Sequence, residues 1–217
     1  TIRCLASIVT EHSGKVWPHY LPPQVVALQA EALGIPMTQV LTTVDTYNDS
    51  YRDMLRSFRA EGVTGGVFGD VSVGNYLAEK HINWVKSVCE PEGITPIMPL
   101  WDEDRASLLA DLIDSGFTAI IIVVDDARLG KEWLGRKLDR ITLAELRTRA
   151  ENSPTGQVGY YHTLVINGPN FAKRLEITEF EPILINNNWF MGINNCRLVE
   201  KDSKETTKIT VSSKELI

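Results

Sequence analysis

Ala119-Ile120-Ile121-Ile122-Val123-Val124 is the stretch on which the fold turns. It is apolar and mostly β-branched, with Gly116 before it and Asp125-Asp126 after it. A run of that kind reads as a buried strand. Upstream, Pro99-Leu100-Trp101 leads into an amphipathic stretch ending Asp114-Ser115-Gly116-Phe117. Downstream, Lys131-Glu132-Trp133-Leu134-Gly135-Arg136 and Asp139 close the block. A buried strand feeding a short loop with Trp, Gly and Arg together is a common way to build a site at the end of a sheet.

The pattern repeats toward the N-terminus. Residues 2–9 read as a strand, and Pro22-Pro23 open a helix with Val25, Val26, Leu28, Ala32 and Leu33 on one side, stopped by Gly34. Residues 36–42 are the next strand. Asn48 or Asp49 caps a helix through Arg59 that ends at Gly62. Residues 65–70 form a short strand, 77–92 a helix with Ile82, Val85 and Val88 inward, and 94–100 a strand. Asp102 caps a helix through Ser115, and 119–124 is the fifth strand. Alternation of this kind predicts βαβ units, hence an α/β fold with a mainly parallel, doubly wound (Rossmann-like) sheet.

After Thr142 the texture changes. A polar helix over 142–151 leads to Ser153-Pro154-Thr155-Gly156. Residues 162–166, 174–185 and 188–198 look like antiparallel strands, with Asn186-Asn187 as a hairpin turn. The expected organisation is an α/β domain over 1–140, a smaller β-rich C-terminal lobe over 141–199 and a polar tail over 200–217.

Composition narrows the classes. The chain has 217 residues, 43% hydrophobic and 23% charged, ordinary for a globular protein. No apolar run approaches the roughly 20 residues of a membrane-spanning helix, and the start carries no signal-peptide pattern. A net charge of −6 argues against general nucleic-acid binding. Cys4, Cys89 and Cys196 have no metal-ligand spacing and fit a reducing, cytoplasmic setting. The first residue is Thr, so a trimmed piece of a longer protein is expected.

Four pieces in order carry a resemblance. They are Leu28-Gln29-Ala30-Glu31-Ala32-Leu33-Gly34-Ile35-Pro36, Val67-Phe68-Gly69-Asp70, Pro99-Leu100-Trp101, and Lys131-Glu132-Trp133-Leu134-Gly135-Arg136. Together they resemble the diphthine–ammonia ligase family, N-type ATP pyrophosphatases of adenine nucleotide alpha hydrolase-like fold, over about residues 2–190. The resemblance implies ATP and Mg²⁺ as cofactors, and adenylation of a carboxylate with release of pyrophosphate. Ammonia then attacks to form an amide. It implies diphthine-bearing elongation factor 2 as partner. An exposed sheet edge would invite a homo-oligomer.

Two departures stand out. The family's Ser-Gly-Gly-Lys-Asp-Ser phosphate loop does not occur in these residues; Thr1 begins where the family's second strand would begin. Ser13-Gly14-Lys15 is followed by Val16-Trp17-Pro18 rather than a helix start, so it reads as a surface turn. The family's Gly-Glu-x-Gly-Glu-Tyr-x-Thr reads here Gly156-Gln157-Val158-Gly159-Tyr160-Tyr161-His162-Thr163, with both acids replaced. A neutral amide cannot replace a carboxylate at a hard cation. The alternative reading is therefore a catalytically degenerate homologue that binds nucleotide or serves as a scaffold. A tRNA-modifying relative fits the acidic balance less well.

The expected catalytic residues are Asp70, Arg136 and His162; no residue is assigned as a metal ligand. Asp70 at a strand end would contact ligand or Mg²⁺, against a turn-capping Asp. Arg136 would clamp a phosphate or carboxylate, against a surface Arg paired with Asp139 or Glu132. His162 would face the cleft, against a half-buried strand His. Nucleotide or substrate binding is expected of His19, Gly69, Trp133, Gly135, Tyr161 and Thr163. For Trp133 the competing reading is packing; for His19 it is a structural hydrogen bond. Asp125-Asp126 reads as a turn, and His12 and His81 as structural or solvent-facing.

Overall fold

Parallel strand pairs and one antiparallel sheet, with five α-helices, make up the mixed α/β architecture of the described residues. The computed structural model describes residues 1–16, 18–71, 75–151 and 161–201. Two compact units divide the chain.

The first unit holds Thr1–Pro23 and Ile35–Leu109. Strand β1 (Leu5–Thr10) pairs parallel with β3 (Met37–Thr42), Leu5 opposite Met37. The two-residue β2 (Lys15–Val16) folds back antiparallel on the end of β1. Gly14 turns that corner at φ 62, and the Thr10 and Ser13 hydroxyls sit 2.7 Å apart across it. Ser13-Gly14-Lys15 is thus a hairpin turn, as its neighbours in sequence require.

Strands β4 (Gly65–Val67) and β5 (Thr95–Ile97) also pair parallel, joined through α3 (Asn75–Cys89). A parallel pair needs such a crossover. Both strands are shorter than the sequence suggests. One further bond, Phe68 N–H to the Ile97 carbonyl, ends the ladder before the chain turns at Gly69-Asp70. Helix α2 (Tyr47–Ala60) packs Leu55 with Val85, Val88, Cys89 and Ile94, and Tyr51, Phe68 and Trp84 flank that core. Val85 and Val88 are buried as expected, because i, i+3 spacing puts both on one helix face.

Both expected caps are displaced. Thr46 stands at the N-cap of α2, and Asn48 is the second helical residue, where its Oδ1 accepts from Trp84 Nε1 at 2.8 Å. In α4 (Arg105–Asp114) the cap is Asp104, not Asp102; its Oδ2 accepts from the Ser107 N–H at 2.8 Å. Two acids in close succession satisfy the same sequence rule, and only the turn geometry chooses between them.

The second unit holds Gln24–Gly34 and Ala110–Ile217. Its sheet runs β7-β6-β9-β8. Strand β6 (Thr118–Asp125) pairs antiparallel with β7 (Tyr161–Asn167) along one edge and with β9 (Asn188–Val199) at Val123–Asp125 along the other. This corrects the expectation of a fifth parallel strand. A continuous apolar run reports burial and is blind to the direction of its neighbours. Ile121, Val123 and Val124 are fully buried here. Strand β8 (Arg174–Ile185) meets β9 through Asn186 at φ 47 and Asn187 at φ 62, the left-handed pair a two-residue hairpin needs.

Helix α1 (Pro23–Leu33) belongs with this sheet: Gln29 Nε2 donates to the Val165 carbonyl at 2.7 Å, and the Ala172 N–H to the Ala32 carbonyl at 2.6 Å. Helix α5 (Arg140–Glu151) starts at Asp139, whose Oδ1 accepts from the Thr142 N–H at 2.8 Å. The compact units therefore cut across the boundary expected at residue 140. Gln157 and Tyr160, and the tail from residue 202, lie outside the described residues.

Candidate functional site

Asp70 and Trp101 lie in the loops that follow the carboxyl ends of β4 and β5, the side where ligands collect in open α/β sheets. Helices α2 and α3 add aromatic rings beside them. Tyr47 and Tyr51 share a face at i, i+4 spacing, and His81 and Trp84 at i, i+3. The rings form one connected set. Tyr51 meets Trp84 edge to face at 5.2 Å, and Tyr47 lies 5.9 Å from Trp84. His81 stacks with Trp84 at 5.8 Å and with Trp101 at 6.2 Å. These are ordinary aromatic separations.

Asp70 is the charged member. His81 Nε2 lies 3.0 Å from its Oδ1, and both side chains are near 40% exposed (41% and 38%). The approach is close but not aligned, so Nε2 makes no directed hydrogen bond despite its burial. The contact is better described as electrostatic than as a hydrogen bond. Burial pushes the Tyr47 and Tyr51 phenols up, and the Asp70 charge adds to the rise at both. Both phenols stay protonated donors beside a carboxylate.

The sequence reading singles out Asp70 and Gly69, and the chain turns at both after the β4–β5 ladder. Gly69 has open space where a Cβ would stand, so steric demand does not explain that glycine. The sequence reading does not single out Trp84, Tyr47 or Tyr51, and it takes His81 as structural or solvent-facing. The available signal was the helical spacing of two aromatic pairs, which ordinary core packing also produces. His19 lies in the loop after β2, half-buried; burial pushes its imidazole below the usual range.

The remaining expected residues lie in the second unit. Trp133 is 1% exposed. Arg136 Cζ stands 4.0 Å from the centre of its ring and Arg149 Cζ 5.0 Å. Arg136 Nη1 donates to Glu145 Oε2 at 2.9 Å. That hydrogen bond, together with the Glu145 charge, pushes the Arg136 guanidinium up and the Glu145 carboxyl down. The pairing residue is thus Glu145, one helix away, rather than Asp139 or Glu132. Gly135 adopts φ 79, which lets the chain turn back. Its N–H reaches the Ile121 carbonyl, and the Ile121 N–H reaches the Arg136 carbonyl. The Trp-Gly-Arg segment thereby lies along the edge of β6 that β9 leaves open.

Tyr161, His162 and Thr163 pair in register with Val124, Val123 and Ile121 on β6. His162 shares a strand face with buried Leu164, and Tyr161 and Thr163 take the other. Asp125-Asp126 serves a turn: Asp125 Oδ1 accepts from the Ala127 N–H at 3.0 Å.

Among the described residues, no group of three or more His, Cys, Asp or Glu could hold a metal ion. Asp70 offers one carboxylate, whereas magnesium needs octahedral oxygen ligands. The described residues do not by themselves build a magnesium site or a phosphate cradle. The three thiols are raised by burial, Cys89 to about 11, which makes them poor nucleophiles at neutral pH.

Comparison with known proteins adds relatives. Residues 104–200 match the diphthamide synthase C-terminal domain. The chain is 30% identical over 171 residues to a diphthine–ammonia ligase of Schizosaccharomyces pombe, covering 73% of this chain and 28% of that protein. It is 28% identical over 206 residues to the diphthine–ammonia ligase of Danio rerio, covering 86% of this chain and 78% of the relative. Against the Homo sapiens diphthine–ammonia ligase it is 27% identical over 194 residues, covering 81% and 70%. No helix among the described residues is long and apolar enough to cross a membrane.

Proposed function

From these similarities we propose that the chain is a member of the diphthine–ammonia ligase family and serves ATP-dependent amide formation on a carboxylate. The observation that carries this reading is a similarity running through 86% of the chain to a relative bearing that name. In this reaction ATP activates the carboxylate as an acyl-adenylate, pyrophosphate leaves, and ammonia displaces AMP. The acceptor would be diphthine on elongation factor 2, in the cytoplasm, with Mg²⁺ accompanying the nucleotide. The parallel pairs β1–β3 and β4–β5 fit the doubly wound sheet of an adenine nucleotide alpha hydrolase-like fold.

In this reading Asp70, Gly69 and the rings around them orient the acceptor at the strand ends, with His19 in the same unit. Taken by itself, the second unit would offer Gly135, Tyr161, His162 and Thr163 as substrate or nucleotide contacts, while Trp133 is buried as packing. Arg136 is already engaged by Glu145 and Trp133, so its part is to position neighbours rather than to clamp a phosphate. Homo-oligomer formation would cover open strand edges.

The test is pyrophosphate release from ATP by the natural gene product, supplied with diphthine-bearing elongation factor 2 and ammonia. The expected result is release that requires both, with amide formed on the factor. Absence of ATP binding and of release overturns the ligase reading. A second reading, a nucleotide-binding or scaffold homologue without turnover, is favoured by Gln157 and Tyr160 at the family's acidic positions.

A further inference from the structure

Aromatic faces attract cations, and the two units differ in whether a cation is already present. Over Trp133 stand Arg136 and Arg149. The cations seen over rings stand elsewhere, Lys15 at Tyr20 and Lys131 at Trp189, while Tyr47, Tyr51, Trp84 and Trp101 are all half-buried. Asp70 borders the same rings with a carboxylate that no aligned hydrogen bond from His81 engages.

We propose that this surface of Tyr47, Tyr51, Trp84, His81 and Trp101, with Asp70 beside it, binds a quaternary ammonium group. Competing ligand chemistries fit less well. An anion would meet the Asp70 charge. A hard metal ion would find one carboxylate where it needs several oxygens. A neutral apolar group would desolvate Asp70 without compensation. A methylated ammonium is weakly hydrated, has no N–H groups to satisfy, and gains from π faces and a nearby negative charge together. The proposal rests on the ligase reading, in which the acceptor, diphthine, is a carboxylic acid bearing a trimethylammonium group. It assigns that cation to this surface, leaving the carboxylate to be activated.

The probe is tetramethylammonium chloride, titrated into the full chain while the indole N–H signals are followed by NMR. Trp84→Phe and Trp101→Phe variants assign the two signals. Sodium chloride at equal ionic strength and tert-butyl alcohol, a neutral group of similar shape, serve as comparisons. The expected result is saturable shifts at Trp84 and Trp101 with tetramethylammonium alone. Asp70→Asn, with an unchanged circular dichroism spectrum, should weaken binding by about five- to tenfold, the scale of one such electrostatic contact. Equal shifts with tert-butyl alcohol, no saturable shift, or no effect of Asp70→Asn would each overturn the proposal. Adenosine saturating the same two signals where tetramethylammonium does not would reassign the surface to base stacking. Pyrophosphate release measured in parallel separates the two readings. Turnover without ammonium binding sinks this site and keeps the ligase; binding without turnover does the reverse.

Discussion

In the second unit Trp133 is 1% exposed, with two guanidinium groups against its ring, while in the first Trp84 and Trp101 are half-buried and share a stack with His81. The same residue type does different work in the two places. A fully buried indole with cations in place is a packing element, and its neighbours, Glu145 and Thr142, complete a closed set of bonds. The half-exposed set of rings next to one carboxylate is where the proposed ammonium group would bind. Exposure and partner saturation, rather than residue type, separate scaffold from site.

The comparison breaks first on stability. Trp133→Ala should lower the unfolding free energy by about 3–5 kcal/mol, as deletion of a fully buried aromatic side chain does. Trp101→Ala should cost only about 1–2 kcal/mol, because part of its surface is already in water. Urea unfolding followed by far-UV circular dichroism reads both. Equal losses would mean that the first unit's rings are core as well.

A second test is sharper and smaller. Asp139→Ala removes the cap of α5 and should cost about 1 kcal/mol. Its carboxyl is held below the usual range first by the backbone hydrogen bond from Thr142. A depressed acid stabilises the fold above its unfolded pKa, and that contribution is lost as pH falls through the folded value. The wild-type protein should therefore lose stability below about pH 4, the ordinary Asp range, and Asp139→Ala should flatten that decline. An unchanged acid profile in the variant would remove Asp139 from this role.

The smallest effect belongs to the first unit. Burial lowers the His19 pKa, so the unfolded chain takes up its proton at a higher pH than the folded one. Stability should fall as pH drops from about 6.5, the ordinary His value, toward the folded value. His19→Gln should remove that slope. A slope that survives the substitution places the titration elsewhere.

Much of this molecule could be read from local signals. The Asn186-Asn187 hairpin follows from two residues that tolerate positive φ. The stop at Gly34, with φ 66, and the inward Val85 and Val88 follow from helix periodicity and C-cap chemistry. Asp70 could be picked out because it follows a short apolar strand, though the strand itself stops at Val67. What escaped was partnership. The expectation for Arg136 is a clamp, with a pairing to Asp139 or Glu132 as the alternative; it meets Glu145 in the first turns of α5. His81 reads as structural or solvent-facing in sequence, since Asp70 and Trp101 reach it only through the β4–α3–β5 crossover.

The sequence by itself determined that this is an α/β chain with a β-rich C-terminal part, and which family it resembles. Those properties reside in periodicity, turn chemistry and the order of short motifs, all local to the chain. Only the tertiary structure decided that β6 pairs antiparallel with β7 and β9. It alone grouped α1 with that sheet, and brought Asp70, His81 and four aromatic rings together. Strand direction and side-chain company depend on residues far apart in sequence, and hydrophobic burial, which the pattern does encode, is satisfied equally by many arrangements.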